Sequence, residues 1–109
     1  MNHGLTSETV DRIRSVLARF PQVEKAVLYG SRAKGNYKRG SDIDLTLFGS
    51  GLNASVLSRI SSGLDDLLLP QKIDISVFAK ISHSDLIEHI RRVGVVFYEK
   101  QSAAAHINH

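Results

Sequence analysis

Gly30-Ser31-Arg32-Ala33-Lys34-Gly35, followed past residues 36–40 by Ser41-Asp42-Ile43-Asp44-Leu45, is the stretch that decides how this chain is read. Just before it, Lys25 to Tyr29 carries Ala26-Val27-Leu28 as an unbroken apolar run, which predicts a short strand that Gly30 ends. Ser31 then opens a helical turn. Glycine at such a junction lets a ligand approach the backbone closely. The first turn of a helix offers N–H groups with no intrahelical partner and a partial positive charge. With a serine hydroxyl added, the junction suits a phosphate. Arg32 and Lys34 either add charge to it or are simply solvated. The rest of residues 30–40, rich in glycine and cations, predicts a loop.

Asp42 to Phe48 alternates. Ile43, Leu45 and Leu47 point one way and Asp42, Asp44 and Thr46 the other, which predicts a strand with one buried face. Both aspartates therefore project from one side. Neighbouring carboxylates repel, and one tends to take up a proton unless a cation sits between them. All-oxygen ligands of this kind suit magnesium or manganese. Ile73 to Phe78 repeats the alternation and puts Asp74 on its polar side. If that strand lies beside the first with Asp74 level with the pair, three carboxylates converge opposite a phosphate-binding turn. That layout serves two-metal nucleotidyl transfer. Each feature alone is ordinary: a Gly-Ser is commonly a turn, and an Asp-x-Asp commonly a solvated edge. Their order and their placement on suitable elements carry the reading.

Further out, Thr6 or Ser7 can cap a first helix whose apolar face is Val10, Ile13, Leu17 and Phe20, ended by Pro21. A second helix spans about Leu52 to Leu69, with Leu52, Val56, Ile60, Leu64 and Leu67 as its stripe. Ser82 to Arg92 predicts a third, with Ser82 and Asp85 resembling a capping box and Gly94 closing the end. Val95 to Tyr98 predicts a fourth strand, and the tail from Gln101 is expected to fray. Helices alternate with strands, so the fold class is α/β (α+β), a small mixed β-sheet flanked by helices. Residues 1–100 form one domain in this reading and 101–109 a flexible tail.

The chain has 109 residues, 42% hydrophobic and 23% charged, which are ordinary globular values and exclude wholesale disorder. The absence of cysteine excludes disulfides, thiolate metal sites and cysteine nucleophiles, and fits a reducing cytoplasm. No apolar run suggests a signal peptide, and none approaches the ~18 residues of a membrane span. The net charge of +3 is what a solvated surface carries, though it can also attract phosphate.

Gly30-Ser31 followed by Ser41-Asp42-Ile43-Asp44-Leu45 resembles the signature of the DNA polymerase β-like nucleotidyltransferase superfamily, and the longer text resembles its minimal prokaryotic branch, the MNT proteins. The resemblance covers nearly the whole chain, although the flanks match mainly in pattern and length. It implies that Ser31 contacts the triphosphate of ATP, that Asp42 and Asp44 bind two Mg2+ or Mn2+ ions, and that Asp74 shares a metal and helps activate the attacking hydroxyl. Taken with the phosphate-binding turn read above, the expected nucleotide-binding residues are Gly30, Ser31, Arg32 and Lys34. The resemblance also implies a partner, a HEPN-domain ribonuclease toxin, which such an antitoxin inactivates by transferring AMP to a tyrosine.

A binding module that neutralises its partner by contact is the competing reading, but a scaffold has no need of clustered anions. A nucleic-acid binder ranks last, because no dense basic stripe with interleaved aromatics is present. His106 and His109 fall in the tail, and His83 and His89 lie around a helix with no special role expected. Tyr37 either stacks on a base or packs on the surface. Arg91 and Arg92 suit a helix C-terminus.

Overall fold

The computed structural model describes residues 3–101. Its elements run α1 (Ser7–Ala18), β1 (Lys25–Tyr29), α2 (Ser31–Lys34), β2 (Ile43–Phe48), α3 (Ala54–Asp65), β3 (Ile73–Val77), a 3-10 turn (Phe78–Lys80), α4 (Ser84–Val93) and β4 (Val95–Glu99). The strands form one mixed sheet in the order β3-β2-β1-β4. β1 pairs antiparallel with both β2 and β4, and β2 pairs parallel with β3 across the α3 crossover.

The core follows from the apolar patterning. Thr6 caps α1 by accepting the Thr9 N–H at 3.0 Å, and Val10, Ile13, Val16 and Leu17 face inward. Asn53 caps α3 by accepting the Val56 N–H at 2.9 Å, and Val56, Ile60 and Leu64 are buried. These faces cover one side of the sheet, where Ala26, Leu28, Ile43, Leu45 and Leu47 are fully buried. Each buried leucine and isoleucine there contributes about 1.5–3 kcal/mol relative to exposure. On the opposite side, Val27 and Ile90 are buried outside the main cluster, where α4 packs on β1.

Several local expectations change. The second helix stops at Asp65, four residues short of Leu69, because Leu68 takes a left-handed φ of 55° and lies 87% exposed. Asp65 and Asp66 at that end also oppose the helix dipole. Phe78 leaves β3 for the 3-10 turn. The cap of α4 is His83, whose Nδ1 accepts the Leu86 N–H at 3.4 Å, and not Ser82. Gly94 ends α4 in an extended conformation (φ −61°, ψ 142°) instead of a left-handed one. Glycine is needed there for packing, since a Cβ would collide with the Ile90 carbonyl and come within 2.7 Å of Val27 Cγ1. Thr46 lies on the polar side yet is fully buried, satisfied by the Ser76 hydroxyl donating at 3.0 Å. His106 and His109 lie outside the described residues.

Candidate active site

The polar face of the sheet is laid out in rungs. Tyr29, Asp44 and Asp74 are directly opposite one another across β1, β2 and β3. Strands lie roughly 4.8 Å apart, so the two carboxylates are neighbours on one face. Val27, Thr46 and Ser76 form the next rung, and Lys25 pairs with Phe48 in the one beyond. There the Lys25 ammonium sits 4.5 Å from the Phe48 ring centre, and Phe48 stacks on Phe78 at 4.6 Å. The apolar rungs on the other face, Ile43 with Ile73 and Leu45 with Ile75, hold this register.

Asp42, exposed, enters β2 one step ahead of the rung. Burial pushes the Asp44 carboxyl above its ordinary range, the charges of Asp74 and then Asp42 push it further, and the nearby His89 acts more weakly in the opposite direction. The Tyr29 hydroxyl is raised as well, first by burial; its hydrogen bond with Ser76 acts against this, while Asp44 and Asp74 add to it. The rung is thus a site of concentrated, half-buried negative charge. Lys72 approaches Asp74 at 3.7 Å, with 73% and 44% of the two side chains exposed, a surface ion pair worth about 0–1 kcal/mol that a stronger cation displaces readily.

Beside the carboxylates, β1 ends at Gly30, with φ 77° and ψ −156°, and α2 starts at Ser31. The Gly30 position is open only to glycine, because a Cβ would collide with Asp44 Oδ2. The turn and the carboxylate are therefore in contact with nothing between them. Lys34 is exposed on α2, as are Lys38 and Arg39 in the following loop.

Arg32 departs from the expectation that it meets the nucleotide. It is 1% exposed, and its guanidinium donates to the carbonyls of Ser41 (Nε at 3.1 Å, Nη2 at 3.0 Å), Arg39 (3.0 Å) and His3 (2.9 Å). Five fixed donors suit such a convergence of carbonyls. Arg32 ties the 36–41 loop to α2 and so sets where Asp42 enters β2. Tyr37 packs against it, 5.2 Å from the guanidinium carbon to the ring centre, so its ring is engaged by the protein itself. The Ser41 hydroxyl accepts the Lys38 N–H at 2.8 Å and closes the loop.

His89, given no role from the sequence, sits at the site. Its Nε2 accepts the Gly30 N–H at 3.0 Å, and its ring meets Tyr29 edge-on at 6.1 Å. The contact joins residues 59 apart, and no local pattern in the chain signals it.

A family model described as "Polymerase beta, Nucleotidyltransferase" matches residues 11–103. A Haemophilus influenzae protein named "Probable protein adenylyltransferase MntA" is 30% identical over 98 residues, covering 89% of this chain and 85% of the relative. Among solved structures, a toxin–antitoxin crystal structure with AMP-PNP is similar at a TM-score of 0.68 and 21% identity, covering 84% of this chain and 74% of the other. A complex of tri-AMPylated Shewanella oneidensis HEPN toxin with MNT antitoxin gives 0.65 at 16% identity, covering 94% and 79%. A crystal structure named "putative nucleotidyltransferase", from Sulfolobus solfataricus, gives 0.53 at 18%, covering 84% and 77%. At these identities the structures share the fold.

Proposed function

We propose a function from one premise: the chain belongs to the polymerase beta nucleotidyltransferase family. It transfers AMP from ATP to a tyrosine of a HEPN-type toxin and acts as the antitoxin of that pair in the cytoplasm. The observation that carries this reading is the rung of Asp44 and Asp74, with Asp42 beside it, against the Gly30-Ser31 turn. Support for the acceptor comes from the relative named as a protein adenylyltransferase and from the AMPylated HEPN toxin solved with an MNT antitoxin.

The chemistry of the carboxylates suits a divalent cation, although among the described residues no three such side chains are gathered closely enough to hold one as they stand. They are acceptor-only oxygens crowded enough to raise one another's proton affinity, and Mg2+ or Mn2+, two ions in this proposal, relieves that repulsion. Bound by Asp42, Asp44 and Asp74, the ions would offset charge on the transferring phosphate and favour the deprotonated acceptor. Ser31 and the free N–H groups of the turn bind the triphosphate, with Lys34 adding charge. The acceptor oxygen attacks the α-phosphorus as the bond to pyrophosphate breaks, and the hydroxyl proton passes to Asp74. Asp74 lies on the edge strand, so the acceptor approaches from the open side of the sheet. No helix among the described residues is long and apolar enough to cross a membrane.

The test is to mix the protein, ATP, magnesium and the product of the adjacent gene, and weigh the partner by intact mass spectrometry. Mass increments of AMP are expected, lost with Asp42→Asn. Asp74→Asn is expected to bind nucleotide and fail to transfer. Neutralisation of the partner without a mass change, and equally by Asp42→Asn, would replace catalysis with contact alone.

A further inference from the structure

We infer that His89 is a positioning residue of the transfer site, holding the Gly30 amide through Nε2 and so fixing the turn that presents Ser31. On its β4 side, β1 runs out of partner at Leu28, because β4 begins at Val95 opposite it, directly after α4. The Gly30 N–H lies past that point, and the His89 imidazole supplies the acceptor at 3.0 Å in place of a strand. The bond is part-buried, and a fully buried amide left without a partner costs about 1–3 kcal/mol, so supplying an acceptor here favours the observed turn.

The geometry constrains the ring. An Nε2 that accepts carries no proton, which puts the imidazole proton on Nδ1. The ring is held edge-on against Tyr29 at an interplanar angle of 79°, and Tyr29 is itself a member of the Asp44 rung. Ile90, the next residue of α4, is buried and fixes the helix against the sheet. Gly30 meanwhile faces Asp44 so closely that no Cβ fits between them. His89, Gly30 and Asp44 therefore form a chain of contacts from α4 to the carboxylates. Rotation of the Gly30 peptide would move the Ser31 amide and open the gap to Asp44 together. His89 touches none of the reacting atoms in this arrangement. It acts through Gly30, and its functional arm rests on the nucleotidyl transfer proposed above.

The experiment uses the full chain with His89→Ala, His89→Gln and His89→Asn. The carbonyl of glutamine reaches about as far as Nε2, whereas that of asparagine is shorter. Gly30 amide exchange, followed by NMR, is expected to quicken at least about tenfold in the alanine and asparagine variants and to stay near wild type with glutamine. Binding of magnesium AMP-PNP is expected to weaken about fivefold in the first two, the equivalent of one lost hydrogen bond, with glutamine restoring it. Imidazole 15N spectra of the wild type should show Nε2 unprotonated. Unchanged Gly30 exchange in all three variants, a proton on Nε2, or equal nucleotide affinity throughout overturns the role. If the wild type binds no nucleotide, the proposed function fails on its own, while Gly30 exchange still decides whether His89 holds the turn.

Discussion

Replacing Gly30 with alanine tests the contact on which the site is built. At φ 77° and ψ −156° the backbone occupies a region essentially reserved for glycine, where another residue costs about 1–3 kcal/mol. The added methyl would also overlap Asp44 Oδ2 and lie 3.3 Å from Asp44 Cγ. β2 is paired on both sides, so its backbone cannot retreat and the carboxylate must rotate instead. An off-rotamer side chain costs about 0.5–1.5 kcal/mol, giving a total of roughly 1.5–4.5 kcal/mol. In a domain of this size each kcal/mol lowers the Tm by about 4–8 °C. Moving Asp44 by about 1 Å is also expected to slow transfer on the order of a hundredfold. The assay is urea unfolding of the wild type, Gly30→Ala, Asp44→Ala and the double variant, with transfer measured on the first two. Asp44→Ala removes the clash but not the backbone cost, so Gly30→Ala should destabilise that background less, by about 0.5–1.5 kcal/mol. An unchanged urea midpoint for Gly30→Ala refutes the backbone argument, and an equal loss in both backgrounds refutes the contact.

Arg32→Ala is expected to cost about 3–5 kcal/mol, since four hydrogen bonds to carbonyls are lost at roughly 1 kcal/mol each together with the packing of a side chain only 1% exposed. Lys34→Ala should change stability by less than about 0.5 kcal/mol and weaken nucleotide binding instead. Urea midpoints for the pair decide the matter, and a fully stable Arg32→Ala would contradict the structural role. Asp44→Asn is expected to raise the melting temperature of the metal-free protein at neutral pH. The folded carboxyl titrates above its ordinary value of 3.8, so the penalty is absent well below that value, grows as pH rises from it towards the folded one, and is complete above the folded one. Melts across pH in a chelator should show the gap between variant and wild type closing in acid, and magnesium should reverse their order at neutrality. A variant that melts lower than wild type in chelator at neutral pH removes the electrostatic account.

The strands were legible because their signal is local. Lys25–Tyr29 and the alternation around Asp44 and Asp74 need only a period of two, and they predict the face each aspartate takes. The level pairing of Asp44 with Asp74 was a condition in the sequence and is a register in the structure. Side chains whose partners lie far along the chain were illegible. Arg32 looks like any loop cation until the carbonyls of His3, Arg39 and Ser41 converge on it. His89 looks like any helix residue until α4 brings it to Gly30. Helix ends were misplaced where a backbone conformation decided them, as at Leu68, because apolar spacing alone does not report φ.

The parallel rung of Asp44 and Asp74 also sets when the protein becomes competent. The rung is repulsive in itself and is held by the isoleucines and leucines on the reverse side, so it exists only once α3 has folded across and β3 has docked in register. A slip of one residue would turn Asp74 into the core and Ile73 and Ile75 out to water. A ribosome that has released residues 1–65 has exposed the phosphate-binding turn and the first two carboxylates, but the third is still inside. The emerging chain therefore carries an incomplete site, and the last carboxylate arrives only with the strand that completes this part of the core.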